Sequence, residues 1–274
     1  MKFLPLPIDA NDDVIIRQCE KTGWEARKLK WLLAAANYRH FHGDPWKIIP
    51  AGFSGEDADA LYKLYDTQGR SGSINRIRRP KKSLPSCPMC GSQCSRSLDH
   101  ALPRRYFPEF SILRENLVPA CTSCNSVQKG ATYRGEKDPE RFIHPYYDQW
   151  ASDALWRVQF GPDLDALEFR PVALPDLSSE HRCIVDFHVK SLLGSDWSDF
   201  VRREWSSLPM KLQRRLRPDL SIMTLKRELE IRLQDEIDTG GINSWGAGFL
   251  RGMLVDDAVI DNFIERIKNL PGGV

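Results

Sequence analysis

A chain of 274 residues, 41% hydrophobic and 28% charged, has the composition of an ordinary globular protein and enough interior for one large domain or two modest ones. No apolar run approaches the roughly eighteen residues that a membrane span needs, and the opening Met1-Lys2-Phe3-Leu4-Pro5 lacks the apolar stretch of a secretion signal, so the expectation is a cytoplasmic protein with no membrane partner. The net charge of +2 excludes a polycation, and seven cysteines in a reducing compartment argue against a disulfide framework.

In chain order, residues 11–41 read as helical, broken near Gly23, with Leu29, Leu32, Leu33 and Ala36 forming an apolar stripe at helical spacing. Glu56 to Asp66 predicts a short helix with Leu61, Leu64 and Tyr65 on one face, and the glycines and serines from Gln68 to Ser73 read as a linker. A cysteine-bearing module follows. Beyond Trp150 the alternation of Trp156, Val158 and Phe160, a turn at Gly161-Pro162-Asp163, and the alternation of Leu167 and Phe169 predict a β-hairpin. Helices dominate from Ser178. Ile222, Leu225, Leu229, Leu233 and Ile237 mark one of them, supported by Glu228 and Arg232 and ended by Gly240-Gly241. A last helix runs from an N-cap at Asp256 to Lys268. The chain therefore reads as α+β without internal repeats: a helical region 1–70, the cysteine module 71–150, and a β-hairpin with a mostly helical region 151–274.

Charge is unevenly spread. From Thr67 to Leu98 there is no Asp or Glu, but there are Arg70, Arg76, Arg78, Arg79, Lys81, Lys82 and Arg96. A charge run alone is usually a solvated face. Next to a cysteine motif it reads as a phosphate-binding stretch, with Arg76, Arg78, Arg79, Lys81 and Lys82 as the contacts and Arg104 and Arg105 behind Pro103 as additions.

Four cysteines form two Cys-x-x-Cys pairs, Cys87/Cys90 and Cys121/Cys124, the first followed by Gly91. Each such turn presents two thiolates to one side of an ion, and two turns complete a tetrahedral zinc shell. A closed four-thiolate site is structural rather than catalytic. Cys19 and Cys183 read as small buried apolar residues, and Cys94 as a core or surface thiol.

The segment between the knuckles carries Leu98-Asp99-His100-Ala101-Leu102-Pro103, then Asn116-Leu117-Val118-Pro119-Ala120-Cys121; Asn125, Lys129 and Gly130 follow the second pair. These pieces, in this order, resemble the HNH endonuclease family, whose pattern runs Asp-His-x-x-Pro, Asn-Leu, Cys-x-x-Cys followed by Asn or His, then Lys-Gly. The likeness spans about Cys87 to Gly130, with a looser extension through His144-Pro145-Tyr146-Tyr147-Asp148. Phe107-Pro108-Glu109-Phe110 adds a resemblance to HNH nucleases among bacterial anti-phage defence proteins. The resemblance implies a ββα-metal module, its hairpin spanning Ser97 to Ala120 and its helix starting near the second knuckle. It implies hydrolysis of DNA with magnesium or manganese, and an effector working with a partner such as an ATPase.

The residue chemistry agrees. A neutral imidazole can take a proton from water, which makes His100 the general base. A hard divalent ion prefers oxygen ligands, for which Asp99 offers a carboxylate and Asn125 a carbonyl. Asn116 orients His100 or its loop. Successive strand residues face opposite ways, so a bend is expected between Asp99 and His100. Two departures stand out: Asn125 occupies a place often held by His, which favours magnesium or manganese, and three residues rather than two separate it from Lys129, the candidate phosphate contact. His40, His42, His144, His181 and His188 read as structural, and Tyr146, Tyr147 and Trp150 as packing residues. The competing reading is a non-catalytic zinc module that binds nucleic acid or docks on a partner; such a module needs none of Asp99, His100, Asn116 or Asn125.

Overall fold

The computed structural model describes residues 1–7, 13–68, 72–78, 84–92, 97–216 and 219–271. Helix α1 (Asp13–Thr22) ends at Gly23, whose φ of 70° suits a residue without a Cβ, and α2 (Glu25–His40) follows. The apolar face of α2 differs from expectation. Trp31, Ala34, Ala35 and Tyr38 are buried, while Leu29 and Leu33 are 69% and 61% exposed. The two aromatics hold the inner face because each also finds a polar partner there: Trp31 Nε1 donates to the Glu109 carbonyl at 2.7 Å and Tyr38 Oη to Asn116 Oδ1 at 3.1 Å. The expected second helix is α3 (Gly55–Gln68). Of the expected linker, residues 69–71 lie outside the described residues, and the chain continues as α4 (Gly72–Arg78).

Strands β1 (Ser97–His100) and β2 (Leu117–Ala120) form an antiparallel pair in the register Ser97↔Ala120, Leu98↔Pro119, Asp99↔Val118, His100↔Leu117. This hairpin separates two hydrophobic cores. Leu98 and Leu117 join Trp31, Tyr38, Leu61 and the Phe107–Leu113 loop residues on the side of the N-terminal helices. Val118 and Ala120 join the four cysteines and the C-terminal region on the other. Paired and alternate residues share a face, so His100 belongs to the first side and Asp99 to the second.

The second hairpin pairs β3 (Trp156–Phe160) with β4 (Phe169–Ala173). Its connection closes where the Gly161 N–H donates to the Glu168 carbonyl at 2.7 Å, so the returning strand begins at Phe169 rather than Leu167. Among the described residues five helices follow: α5 (Ser179–Leu192), α6 (Ser195–Leu216), α7 (Ile222–Gly240), α8 (Trp245–Leu254) and α9 (Asp257–Asn269). The expected signals operate locally. The Asp256 carboxylate caps α9 by accepting from Val259 N–H, Arg232 pairs with Glu228 at 3.2 Å along α7, and Gly241 closes that helix at φ 95°. Leu225 and Leu229 are fully buried, each stabilising by about 1.5–3 kcal/mol, whereas Ile222 is exposed. The fold is a mixed α+β arrangement of small antiparallel sheets and many helices. No helix among the described residues is long and apolar enough to cross a membrane.

Candidate functional site

The two knuckles converge. Cys87, Cys90, Cys121 and Cys124 are buried, and their sulfurs lie within 4.8 Å of one another. Thiolates about 2.3 Å from a tetrahedral zinc ion stand about 3.8 Å apart, and Cys90 Sγ and Cys121 Sγ are separated by 3.7 Å. Backbone N–H groups also serve the sulfurs: that of Cys121 donates to Cys87 Sγ at 3.2 Å and that of Ser92 to Cys90 Sγ at 3.4 Å. Hydrogen bonds from Cys124, Cys87 and Cys90 push the Cys121 thiol far down, and the corresponding bonds at Cys124 push it up. Four thiols packed this closely cannot all ionise without a cation to offset their mutual repulsion. The cluster could therefore hold a metal ion such as zinc.

The rest of the protein braces the first knuckle. Gly91 has φ 81° and lies so close to the Asn243 carbonyl that a Cβ would stand 2.3 Å from it. Trp245 Nε1 donates to the Cys90 carbonyl at 2.9 Å. His188, fully buried on α5, donates through Nε2 to the Met89 carbonyl at 2.6 Å and accepts at Nδ1 from Ile143 N–H at 3.0 Å. Burial pushes its pKa down to about 3, so it is a neutral bridge between α5 and the knuckle.

Between the knuckles the motif residues gather along β1, but on both of its faces. Asp99 is 5% exposed, and its Oδ2 pairs with Lys129 Nζ at 3.1 Å. Burial raises the Asp99 pKa and Lys129 opposes that rise. Lys129, 2% exposed, also donates to the His100 carbonyl at 2.7 Å. It clips the strand from the knuckle side instead of standing at a surface where a phosphate would meet it. The extra residue before Lys129 is absorbed by a wide turn at Cys124–Gln128, in which the Lys129 N–H donates five residues back to the Cys124 carbonyl at 3.0 Å. Such a π-turn accommodates one added residue and keeps the following side chain directed at the strand. Asn125 uses its amide group on β1, donating to Ser97 Oγ at 2.7 Å and to the Leu98 carbonyl at 3.2 Å, which leaves its carbonyl oxygen as the remaining polar atom.

His100 sits on the opposite face, 9% exposed. Its Nε2 is 2.9 Å from the Ser111 carbonyl. A carbonyl can only accept, so Nε2 carries the hydrogen and Nδ1 keeps the lone pair. Burial, with smaller contributions from Arg104 and Lys129, pushes its pKa down to about 4, so the ring is neutral at pH 7. The β1–β2 ladder runs regularly through His100. The bend expected between Asp99 and His100 is absent, and carboxylate and imidazole are not brought together.

Asn116, fully buried, holds the loop rather than the imidazole. Its amide donates to the Leu102 and Phe110 carbonyls at 3.0 and 3.1 Å, and its Oδ1 accepts from Leu102 N–H at 2.7 Å. Behind it stands a relay that spacing does not reveal. His144 accepts at Nδ1 from Tyr146 N–H, so its Nε2 donates to Tyr38 Oη at 2.9 Å, which in turn donates to Asn116.

Of the basic candidates, Arg79, Lys81 and Lys82 lie outside the described residues, as do Arg70, Arg96 and Cys94. Arg76 and Arg105 are both exposed. Arg78 donates to Tyr65 Oη at 3.1 Å. Arg104 is held by α3, pairing with Asp66 at 3.0 Å and donating to the Tyr62 carbonyl at 2.9 Å. Cys19 is buried as expected, while Cys183 is half-buried. Tyr146 packs inside and donates to the Leu117 carbonyl, and Trp150 stacks on His181 with centroids 4.2 Å apart.

No protein-family profile matches the chain, and no solved structure matches it. Among curated proteins it is similar to protein ea31 of Escherichia phage lambda, at 39% identity over 75 residues. That match covers 27% of this chain and 24% of the phage protein, so the chain spans about a quarter of the relative's length.

Proposed function

We propose that the chain is a metal-dependent endonuclease of the HNH type, hydrolysing phosphodiester bonds in DNA from a ββα module whose knuckles are held by structural zinc. The observation that carries this reading is the state of His100: neutral, fixed through Nε2 on the Ser111 carbonyl, and free at Nδ1 to accept a proton. Around the same hairpin, Asn116 fixes the loop that leaves β1, and Asp99 and Asn125 come from the strand and the wide turn beside it. Their oxygens are the hard donors that magnesium or manganese prefers. The Asp99 carboxylate already attracts one cation, Lys129, and Asn125 retains its carbonyl oxygen. When bound, the divalent ion would supply positive charge to the phosphate and the leaving oxygen. Lys129 is a positioning residue in this scheme, setting Asp99 and the His100 carbonyl. Because Asp99 and His100 face opposite ways, the scheme requires the end of β1 to adjust when substrate arrives. The likeness around Phe107-Pro108-Glu109-Phe110 supports an effector of anti-phage defence, and the C-terminal helices, which carry no candidate chemistry, suit docking on an ATPase or another partner.

The regular ladder through His100 favours a second reading, in which Asp99–Lys129 is a buried ion pair, His100 a core histidine, and the module a zinc-dependent nucleic-acid-binding or docking subunit. Incubating the purified chain with single- and double-stranded DNA and RNA in Mg²⁺, Mn²⁺ or EDTA separates them. Cleavage abolished by EDTA supports the nuclease; binding without cleavage under every condition supports the module.

A further inference from the structure

The end of α3 lies on the proposed centre. The Tyr65 ring meets the His100 imidazole edge-on, with centroids 4.7 Å apart and planes at 73°. Arg104, four residues beyond His100, is held to the same helical turn by its 3.0 Å pair with Asp66, its bond to the Tyr62 carbonyl, and its guanidinium 4.1 Å from the Tyr62 ring centroid. Arg78 of α4 secures Tyr65 through Oη. The chemistry of this cover matters. A carboxylate satisfies an arginine as a backbone phosphate does, and tyrosine rings offer faces of the kind on which nucleic-acid bases stack.

We propose that the last turn of α3 is an autoinhibitory contact, in which Asp66 occupies the phosphate place on Arg104 and Tyr65 covers His100 until nucleic acid displaces both. This rests on the nuclease reading and adds its regulation. The helix can release this turn without leaving its seat. Leu61 is fully buried, and its carbonyl accepts from Ser111 Oγ, whereas beyond it Tyr62, Asp66 and Thr67 are exposed and Leu64 and Tyr65 are only half-buried against the core. A turn with no fully buried side chain from Tyr62 to Thr67 opens at lower cost than the helix body, and an ion pair whose carboxylate is exposed, as in Asp66–Arg104, can be exchanged for a polyanion.

The test uses the full chain. His100 modification by diethyl pyrocarbonate, mapped by mass spectrometry, reports the cover directly; the Kd for a short DNA duplex and the cleavage rate report its release. Asp66→Asn should speed His100 modification and tighten DNA binding by about two- to five-fold, the range set by an exposed ion pair, and Tyr65→Ala should speed modification further. Asp59→Asn, which removes the same charge two turns earlier on α3, should change neither. The inference is overturned if Asp66→Asn and Tyr65→Ala, melting as the parent does, leave His100 modification at the parent rate. It is also overturned if Asp59→Asn tightens binding as much as Asp66→Asn, because bulk charge then suffices. If the parent binds DNA but cleaves it with neither Mg²⁺ nor Mn²⁺, the nuclease reading fails, and the modification rates still decide whether α3 covers the histidine.

Discussion

Replacing Lys129 by Met keeps the aliphatic stem and removes the cation beside Asp99. Both partners are almost wholly buried, so the variant would leave a carboxylate in a low-dielectric interior with its charge uncompensated. Breaking such a pair from one side costs about 3–5 kcal/mol. At roughly 2 °C per kcal/mol for a chain of this length, Tm should fall by about 6–10 °C. The pH dependence identifies the cause. Burial already holds the Asp99 pKa above its ordinary value, and losing Lys129 moves it higher still. A group whose folded pKa is raised contributes stability below its unfolded pKa of about 3.9 and loses that contribution as pH rises through the folded value. The difference in Tm between parent and variant should therefore be small near pH 4 and grow toward pH 7.5. Adding Asp99→Asn should restore more than half of the loss, since the residual group is neutral. Calorimetric melting of the parent, both single variants and the double variant supplies the numbers. A deficit that is flat with pH, together with strictly additive effects, would refute the coupling of Asp99 to Lys129.

Other expectations rest on the same interactions. Cys87→Ser or Cys124→Ser should lose bound metal and melt far earlier, since metal binding in small four-ligand zinc sites supplies on the order of 10 kcal/mol of folding free energy; metal content with melting checks this, and full stability without metal would contradict a structural site. The neutral, buried His100, His144 and His188, with pKa values pushed down to about 4, 3 and 3, should make the protein acid-sensitive. Their stabilising contribution is complete above the unfolded pKa of about 6.5 and falls by about 2 kcal/mol per histidine at pH 5. Replacing His188 by Phe should lessen that slope measured by melting between pH 5 and 7.5, while lowering stability at pH 7.5. Replacing Arg76, Arg78, Arg79, Lys81 and Lys82 by Gln should weaken DNA binding for all sequences alike and flatten its salt dependence, by roughly 0.9 in the log–log slope for each phosphate no longer neutralised; an unchanged slope would make the run a solvated face.

The sequence was most legible where a local rule left one solution. The spacing of the Cys-x-x-Cys pairs brought Cys87, Cys90, Cys121 and Cys124 together, and the motif between them marked the ends of β1 and β2 at Ser97 and Ala120. Gly23, Gly241 and Asp256 ended or capped helices through backbone conformation and local hydrogen bonding. It was least legible where partners come from far away. The apolar stripe of α2 pointed to leucines, but the inner face went to Trp31 and Tyr38, whose partners Glu109 and Asn116 lie 78 residues on in each case. His188 carries no motif because Met89 and Ile143 are distant in sequence. The cover of Tyr65 over His100 depends on a helix forming about 35 residues earlier, and Asp99 and His100 diverge because the ladder stays regular where a bend was expected. The added residue before Lys129 was visible as a spacing change, but only the wide turn shows how the chain absorbs it.

The most direct measurement is single-turnover cleavage of plasmid DNA by the parent chain and by His100→Ala, each with the Asp66→Asn substitution to open the site, in Mg²⁺ or Mn²⁺ and in EDTA. The account predicts metal-dependent nicking by the parent and a loss of about 10²–10⁴-fold on removing the imidazole, with metal content unchanged and the fold retained at a lower Tm, as truncation of a buried side chain requires. Nicking at the same rate with and without His100, or none by either protein with either ion, would contradict it.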